Sequence, residues 1–163
     1  MFRVLFVCTG NICRSPTAEG VFRNLVEARG LAGQIEAESA GIGSWHVGEA
    51  PDARSQQIAQ TRGIDLSDQR ARSVEPADFD KFDLILAMDT GHYRSLERAS
   101  PGGITGSTAK IRLFMDYFPE TGIADVPDPY YGAGDGFARV FDMIEAASKG
   151  LLAEIETRYP RDP

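Results

Sequence analysis

Apolar positions fall along the chain in two alternating patterns, short unbroken runs and longer stretches with helical spacing. Val4 to Val7 is a continuous β-rich run, the pattern of a strand buried on both faces. Beyond it CTGNICRS reads as a loop, and Ser15 followed by Pro16 is a helix-start signal in which the hydroxyl is expected to cap. Ala18, Val21, Phe22, Leu25 and Val26 then repeat at helical spacing until Gly30 stops them. The same alternation predicts a strand at Ile35–Ala40, a weaker helix at Asp52–Arg62 stopped by Gly63, and a second fully buried strand at Asp83–Met88. A short helix at Asp89–Arg98, a fourth strand at Ala109–Leu113 and a long terminal helix from Phe137 complete the series. The last is marked by Val140, Phe141, Ile144, Leu151, Leu152 and Ile155.

Strands alternating with helices imply an α/β fold, a parallel sheet with helices on both faces. The 163 residues, 42% of them hydrophobic, suit one domain spanning 1–163 with one real core. The stretch from Ser100 to Gly106, rich in Gly and Pro, reads as a surface loop, and no internal repeat or low-complexity tract is seen. A net charge of -7 argues against a general binder of nucleic acid or anionic membranes, so any phosphate site must be local. The run FRVLFV is too short to span a bilayer and no cleavage site follows it, which leads to the expectation of a soluble, cytoplasmic protein. Two cysteines five positions apart make neither a secretory disulfide framework nor a closed zinc site; reduced thiols and no metal are expected.

The chemistry concentrates where the first strand ends. Ligands of open parallel sheets bind beyond the carboxyl ends of the strands, and Cys8 sits at that end. The amides that follow can curl into an anion-binding nest, with Gly10 and Asn11 expected to take the left-handed conformations such a loop needs. The helix beginning at Ser15 turns its positive end inward. Arg14 adds a planar fork able to hold two phosphate oxygens, and in this field Cys8 is expected to react as the thiolate. Ser15 can hydrogen-bond that sulfur and help it leave. A thiolate displacing an alkoxide or phenolate from phosphorus needs a proton donor for the leaving group. Asp128, between Pro127 and Pro129 and followed by Tyr130 and Tyr131, is the candidate; Asp125, which fits a turn, and Asp135, which fits a helix cap, share its loop, and local chemistry leaves the choice open. Trp45, the single tryptophan, follows a strand's carboxyl end and could wall the same pocket with Tyr130 and Tyr131. His46 and His92 are expected to be surface or structural residues, Asp89 a helix cap, and Ser39 a support of the loop from the neighbouring strand.

VLFVCTGNICRSP strongly resembles the low-molecular-weight protein-tyrosine phosphatases, and DPYYG matches that family's acid loop; SAGIGSWHVG and ILAMD are similar to its bacterial members. The resemblance runs in order from the first strand to the terminal helix. It implies a three-layer sandwich with a four-stranded parallel sheet, and hydrolysis of phosphotyrosine in protein substrates through a cysteinyl-phosphate intermediate. It implies Cys8 as nucleophile, Arg14 as phosphate ligand and Asp128 as general acid, so it chooses among the three acids. Thr9, Gly10, Asn11, Ile12, Cys13 and Ser15 then form the phosphate loop, Trp45, Tyr130 and Tyr131 line the substrate pocket, and Cys13 is a redox partner of Cys8. It also implies no cofactor, inhibition by inorganic phosphate or vanadate, and a monomer. Arsenate reductases of this fold need further cysteines downstream, and none follows Cys13. Protein-arginine phosphatases carry a threonine where this chain has Ile12 and a phenylalanine where it has Tyr130, so both positions favour phosphotyrosine.

Overall fold

Four of the apolar runs pair as strands in a computed structural model that describes residues 1–101, 110–130 and 135–158. The strands β1 (Phe2–Cys8), β2 (Ile35–Gly41), β3 (Leu84–Ala87) and β4 (Lys110–Leu113) form one sheet in the order β2-β1-β3-β4. All three pairings are parallel, with Cys8 opposite Gly41 and Val7 opposite both Ala40 and Ala87. The helices are α1 (Arg14–Ala28), α2 (Ala53–Thr61), α3 (Asp78–Lys81), α4 (Thr90–Ala99) and α5 (Gly136–Arg158). Two 3₁₀ turns, Phe114–Tyr117 and Pro119–Thr121, follow β4.

The two-residue period of β1 divides the core between the faces of the sheet. Val4, Phe6 and Cys8 join the cluster made with α1 and α5, whereas Leu5 and Val7 join Phe79 and Phe82 around α3 and Leu96 on α4. This is the expected three-layer sandwich. Phe6 anchors the larger cluster through edge-to-face contacts with Phe22 at 5.7 Å and Phe114 at 5.2 Å, each worth about 0.5–1.5 kcal/mol beyond the area buried. Gly150, inside α5, is required by close approach: a Cβ there would meet the carbonyl oxygen of Tyr117. Among the described residues no helix is long and apolar enough to cross a membrane.

The predicted elements lie within a residue or two of their observed bounds, and α3 and the 3₁₀ turns are additions. Ala109, the predicted start of the fourth strand, lies outside the described residues, as do positions 102–109 of the loop before it. The first helix begins one residue earlier than expected, at Arg14, and its flanking residue Cys13 makes no side-chain cap. Ser15 therefore sits inside the helix with its hydroxyl turned to another task.

Candidate active site

The loop from Cys8 to Arg14 is held open by its neighbours. The carbonyls of Cys8 and Thr9 accept from the amides of Ile42 and Gly43, both at 2.9 Å, and that of Ile12 accepts from Asp52 N at 2.7 Å. The amides of Gly10, Asn11, Ile12 and Cys13 are given to no other group among the described residues. Carbonyls pinned outward and amides left over make an anion-binding concavity at the N-terminus of α1. Gly41 belongs to this design, since a Cβ there would lie 2.9 Å from the carbonyl oxygen of Thr9. Of the two residues expected in the left-handed region, only Asn11 is there, with φ 58°. Gly10 has a different reason to be glycine: a Cβ would stand 2.8 Å from the His46 ring.

Asn11 accepts this uncommon backbone because its amide is fully used. Its Oδ1 accepts from Arg72 N at 3.0 Å, which fixes the orientation of the group and directs Nδ2 to Ser15 Oγ at 2.8 Å and Ser39 Oγ at 2.9 Å. With both Nδ2 hydrogens donated, the two hydroxyls must pass their own protons onward. Ser39 donates to Glu19 Oε1 at 3.0 Å, and Ser15 Oγ has Cys8 Sγ at 3.0 Å and the Ala40 carbonyl at 3.4 Å, so a thiolate at Cys8 is the nearer and stronger acceptor for its proton. Polarity therefore runs one way, from the Arg72 amide to the sulfur. Helix α3 helps to set it, because Asp78 holds the Arg72 guanidinium at 2.9 and 3.2 Å. Glu19 ends the branch beside Arg23 at 3.1 Å. Its burial raises the carboxyl above the usual range, against the opposing pull of Arg23 and Ser39.

Arg14 is almost wholly buried, with 3% of its surface exposed. Its Nη1 donates to Asp89 Oδ2 and to the carbonyl of Val126, both at 2.9 Å. Nη2 reaches Thr9 Oγ1 at 3.3 Å and His92 Nε2 at 3.5 Å; these two atoms are only 2.7 Å apart and face one hydrogen, so Nε and the other hydrogen of Nη2 remain for an oxyanion. Asp89 caps α4 as expected, accepting from His92 N at 2.8 Å, and carries the second task of holding Arg14. Burial alone would raise its carboxyl; the His92 amide and the nearby charges outweigh that and hold it below the usual range.

A cavity of about 300 Å³ opens over the loop, walled by Trp45, His46, Asp128 and Tyr130. Trp45 is 74% exposed, folded over Gly43, whose Cβ would collide with the indole. The Asp128 carboxylate lies 3.6 Å from Arg14 Nη2 and is 40% exposed, with Oδ1 accepting from Tyr130 N at 3.0 Å. Asp125 is committed elsewhere, to the amide of Thr90 at 2.9 Å, and Asp135 sits at the start of α5 with its carbonyl accepting from Arg139 N. Tyr131 lies outside the described residues.

Cys8, Thr9, Gly10, Ile12, Cys13, Arg14, Trp45, Asp128 and Tyr130 thus meet at one cavity, while Asn11 and Ser15 support it from below. Cys13 is buried, and burial with the Asp52 charge pushes its thiol up to about 12 despite a hydrogen bond with Ser55. Ser39 supports the loop as expected. The histidines are the surface and structural residues expected, though each has an acid beside it: His46 Nδ1 is 2.6 Å from Glu49 Oε2, and His92 is buried against Asp89. Arg72, Glu19 and the Val126 carbonyl were missed, as were the contacts of His92 with Thr9 and Arg14. Only Glu19 carried a trace, as a carboxylate among the apolar positions of α1.

The family model of the low molecular weight phosphotyrosine protein phosphatase matches residues 3–160. A low molecular weight protein-tyrosine-phosphatase of Streptomyces coelicolor is 49% identical over 156 residues, covering 94% of this chain and 93% of its own. Among solved structures, YfkJ from Bacillus subtilis superposes with a TM-score of 0.90 at 43% identity, covering 98% of this chain and 97% of its own. DARP, a Drosophila arginine phosphatase, does so with a TM-score of 0.87 at 34% identity, covering 98% and 99%.

Proposed function

The chain belongs to the low molecular weight phosphotyrosine protein phosphatases, and from that premise we propose that it hydrolyses phosphotyrosine in protein substrates through a phosphorylated Cys8. One observation carries the reading: a sulfur 3.0 Å from the Ser15 hydroxyl lies at the floor of a ring of undonated amides, with Arg14 and Asp128 converging above it. In the first step the Cys8 thiolate attacks phosphorus, the P–O bond to the tyrosine breaks, and Asp128 gives its proton to the departing phenolate. In the second, Asp128 takes a proton from water as the water attacks phosphorus, and the S–P bond breaks to return the thiolate and release phosphate. The loop amides and Arg14 hold the equatorial oxygens in both steps, and Ser15 stabilises the sulfur as it leaves. Trp45 and Tyr130 supply apolar walls for the ring of the phosphotyrosine. Inorganic phosphate and vanadate, which fill the same nest, act as inhibitors. The chemistry needs Cys8 as a free thiol, which suits the reducing cytoplasm.

Phosphoarginine is the second reading, because one structural neighbour is an arginine phosphatase. The cavity here offers Ile12, packed with Cys13, Ala71 and Phe137, where a hydroxyl would be wanted to orient that substrate. Turnover of a phosphotyrosyl and a phosphoarginyl peptide by wild type, Cys8→Ser and Ile12→Thr tests both readings. Wild type should prefer phosphotyrosine, Cys8→Ser should be inactive on both, and Ile12→Thr should move preference towards phosphoarginine. Activity retained in Cys8→Ser would overturn the nucleophile, and a wild-type preference for phosphoarginine would overturn the substrate.

A further inference from the structure

His92 is wedged between the buried guanidinium of Arg14 and the carboxylate that caps α4, and the hydrolytic steps give it no task. Its Nδ1 is 3.2 Å from Asp89 Oδ1. The contact is too poorly aligned to be a hydrogen bond, and Nδ1 has no other partner among the described residues, so Asp89 acts on it by charge. A carboxylate oxygen only accepts, and its presence favours the tautomer with the proton on Nδ1. Nε2 is then a lone pair. It lies 2.7 Å from Thr9 Oγ1 and 3.5 Å from Arg14 Nη2, so the nearer Thr9 hydroxyl is its main donor and the Arg14 contact is secondary. With that proton spent, Thr9 Oγ1 can only accept on the side where Arg14 Nη2 stands at 3.3 Å. The second carboxylate oxygen of Asp89 accepts from Arg14 Nη1 at 2.9 Å, which closes a ring of four side chains: Asp89, His92, Thr9 and Arg14.

We propose that His92 is a positioning residue for phosphate binding: acting through Thr9, it sets the roll of the Arg14 guanidinium so that Nε and the free hydrogen of Nη2 face the oxyanion. The proposal rests on the reading of Arg14 as phosphate ligand. A guanidinium held only along its Nη1 edge, by Asp89 and the Val126 carbonyl, can still rotate about that edge; the Thr9 contact on the opposite nitrogen removes this freedom. The ring works while His92 is neutral, since a protonated Nε2 would donate towards Thr9 and face the charge of Arg14. Arg14 of α1, Asp89 at the head of α4, and Asp125 and Asp128 of the loop before α5 all act on the imidazole. Burial first and Arg14 second bring its pKa down to about 4, which keeps it neutral across the working range.

The test compares His92→Leu, His92→Gln, Thr9→Val and the Thr9→Val/His92→Leu double variant with wild type. Calorimetric binding of inorganic phosphate, and kcat and KM for an aryl phosphate, are measured at neutral pH. His92→Leu and Thr9→Val should each weaken phosphate binding by about 2- to 10-fold, the net worth of one neutral hydrogen bond. The double variant should be no worse than the weaker single one, because both cut the same ring. His92→Gln, whose amide oxygen can take the place of Nε2, should bind phosphate nearly as wild type. Losses that multiply in the double variant, or a Thr9→Val variant that binds as wild type, would overturn the proposal. So would His92→Gln binding no better than His92→Leu. If His92→Leu does not fold, Thr9→Val and His92→Gln decide on the same criteria. Arg14→Lys separates the underlying reading: retained phosphate affinity there would mean that Arg14 is not the ligand, whereas its loss alongside full affinity in Thr9→Val would remove His92 alone.

Discussion

Replacing Asn11 by aspartate keeps the shape of the side chain and reverses one of its chemical functions. Oδ1 still accepts from Arg72 N, but the second oxygen now meets Ser15 and Ser39, where Nδ2 donated at 2.8 and 2.9 Å. Both hydroxyls are drawn to donate to it, and the Ser15 proton is withdrawn from the sulfur 3.0 Å away. A hydrogen bond to a charged group is worth about 1.5–3 kcal/mol. Its loss should lower kcat roughly 10- to 150-fold, chiefly by slowing the step in which the thiolate leaves phosphorus. Ser39 is also pulled between two carboxylates, since Glu19 is already its acceptor, so some loss of thermal stability should accompany the kinetic one. Burst kinetics with an aryl phosphate, beside Ser15→Ala and a thermal melt, separate the two effects. Asn11→Asp should resemble Ser15→Ala in the ratio of burst to steady rate. A folded Asn11→Asp protein with a steady rate within threefold of wild type would refute the one-way polarity of the network.

Asp128→Ala should lower kcat by about 10²- to 10⁴-fold for a poor leaving group and by less for a good one, whereas Asp125→Ala should show no such dependence; a leaving-group series that gives the opposite result would exchange their roles. His92 keeps its unprotonated form in the fold down to about pH 4 but takes up a proton near 6.5 when unfolded. The unfolded state therefore binds the extra proton in that window, and stability should fall as pH drops from 6.5 towards 4, by up to roughly 3 kcal/mol relative to His92→Gln in denaturant titrations. Peroxide should convert Cys8 to a sulfenic acid that closes on Cys13 with release of water, shown by loss of a hydrogen pair in the intact mass and recovery with thiol reductant. Because the Cys13 thiol stands at about 12, closure should quicken with rising pH, and Cys13→Ser should gain oxygen and recover poorly.

The main strands and helices were legible from sustained patterns: β1 through its apolar run Val4–Val7, β3 as an unbroken apolar run, and α5 as a repeat sustained to Ile155. The loop was legible because several local requirements crowd between Cys8 and Pro16. What escaped depends on the sheet order, which a linear reading does not supply. The pairing of β1 with β3 brings Asp89 and His92 to Arg14, residues 75 and 78 positions apart along the chain. The pairing of β1 with β2 brings Ser39 to Asn11 and so links buried Glu19 to the loop. Ser15 shows a different limit: Ser-Pro at a helix start reads as a cap, and the tertiary demand of the sulfur overrides that local use. Helix α3, four residues long, is too short to show a period at all.

The proposed mechanism routes the phosphoryl group through Cys8. Asp128→Ala should hydrolyse the intermediate slowly, so the phosphoenzyme should accumulate when this variant is mixed with an aryl phosphate and quenched in denaturant at mildly alkaline pH. Intact mass followed by peptide mapping should then find one phosphoryl group, on Cys8, rising as fast as the phenol burst and absent from Cys8→Ser. Steady release of phenol without a phosphoryl group on Cys8, or with one on another residue, would rule out a phosphorylated Cys8 on the reaction path.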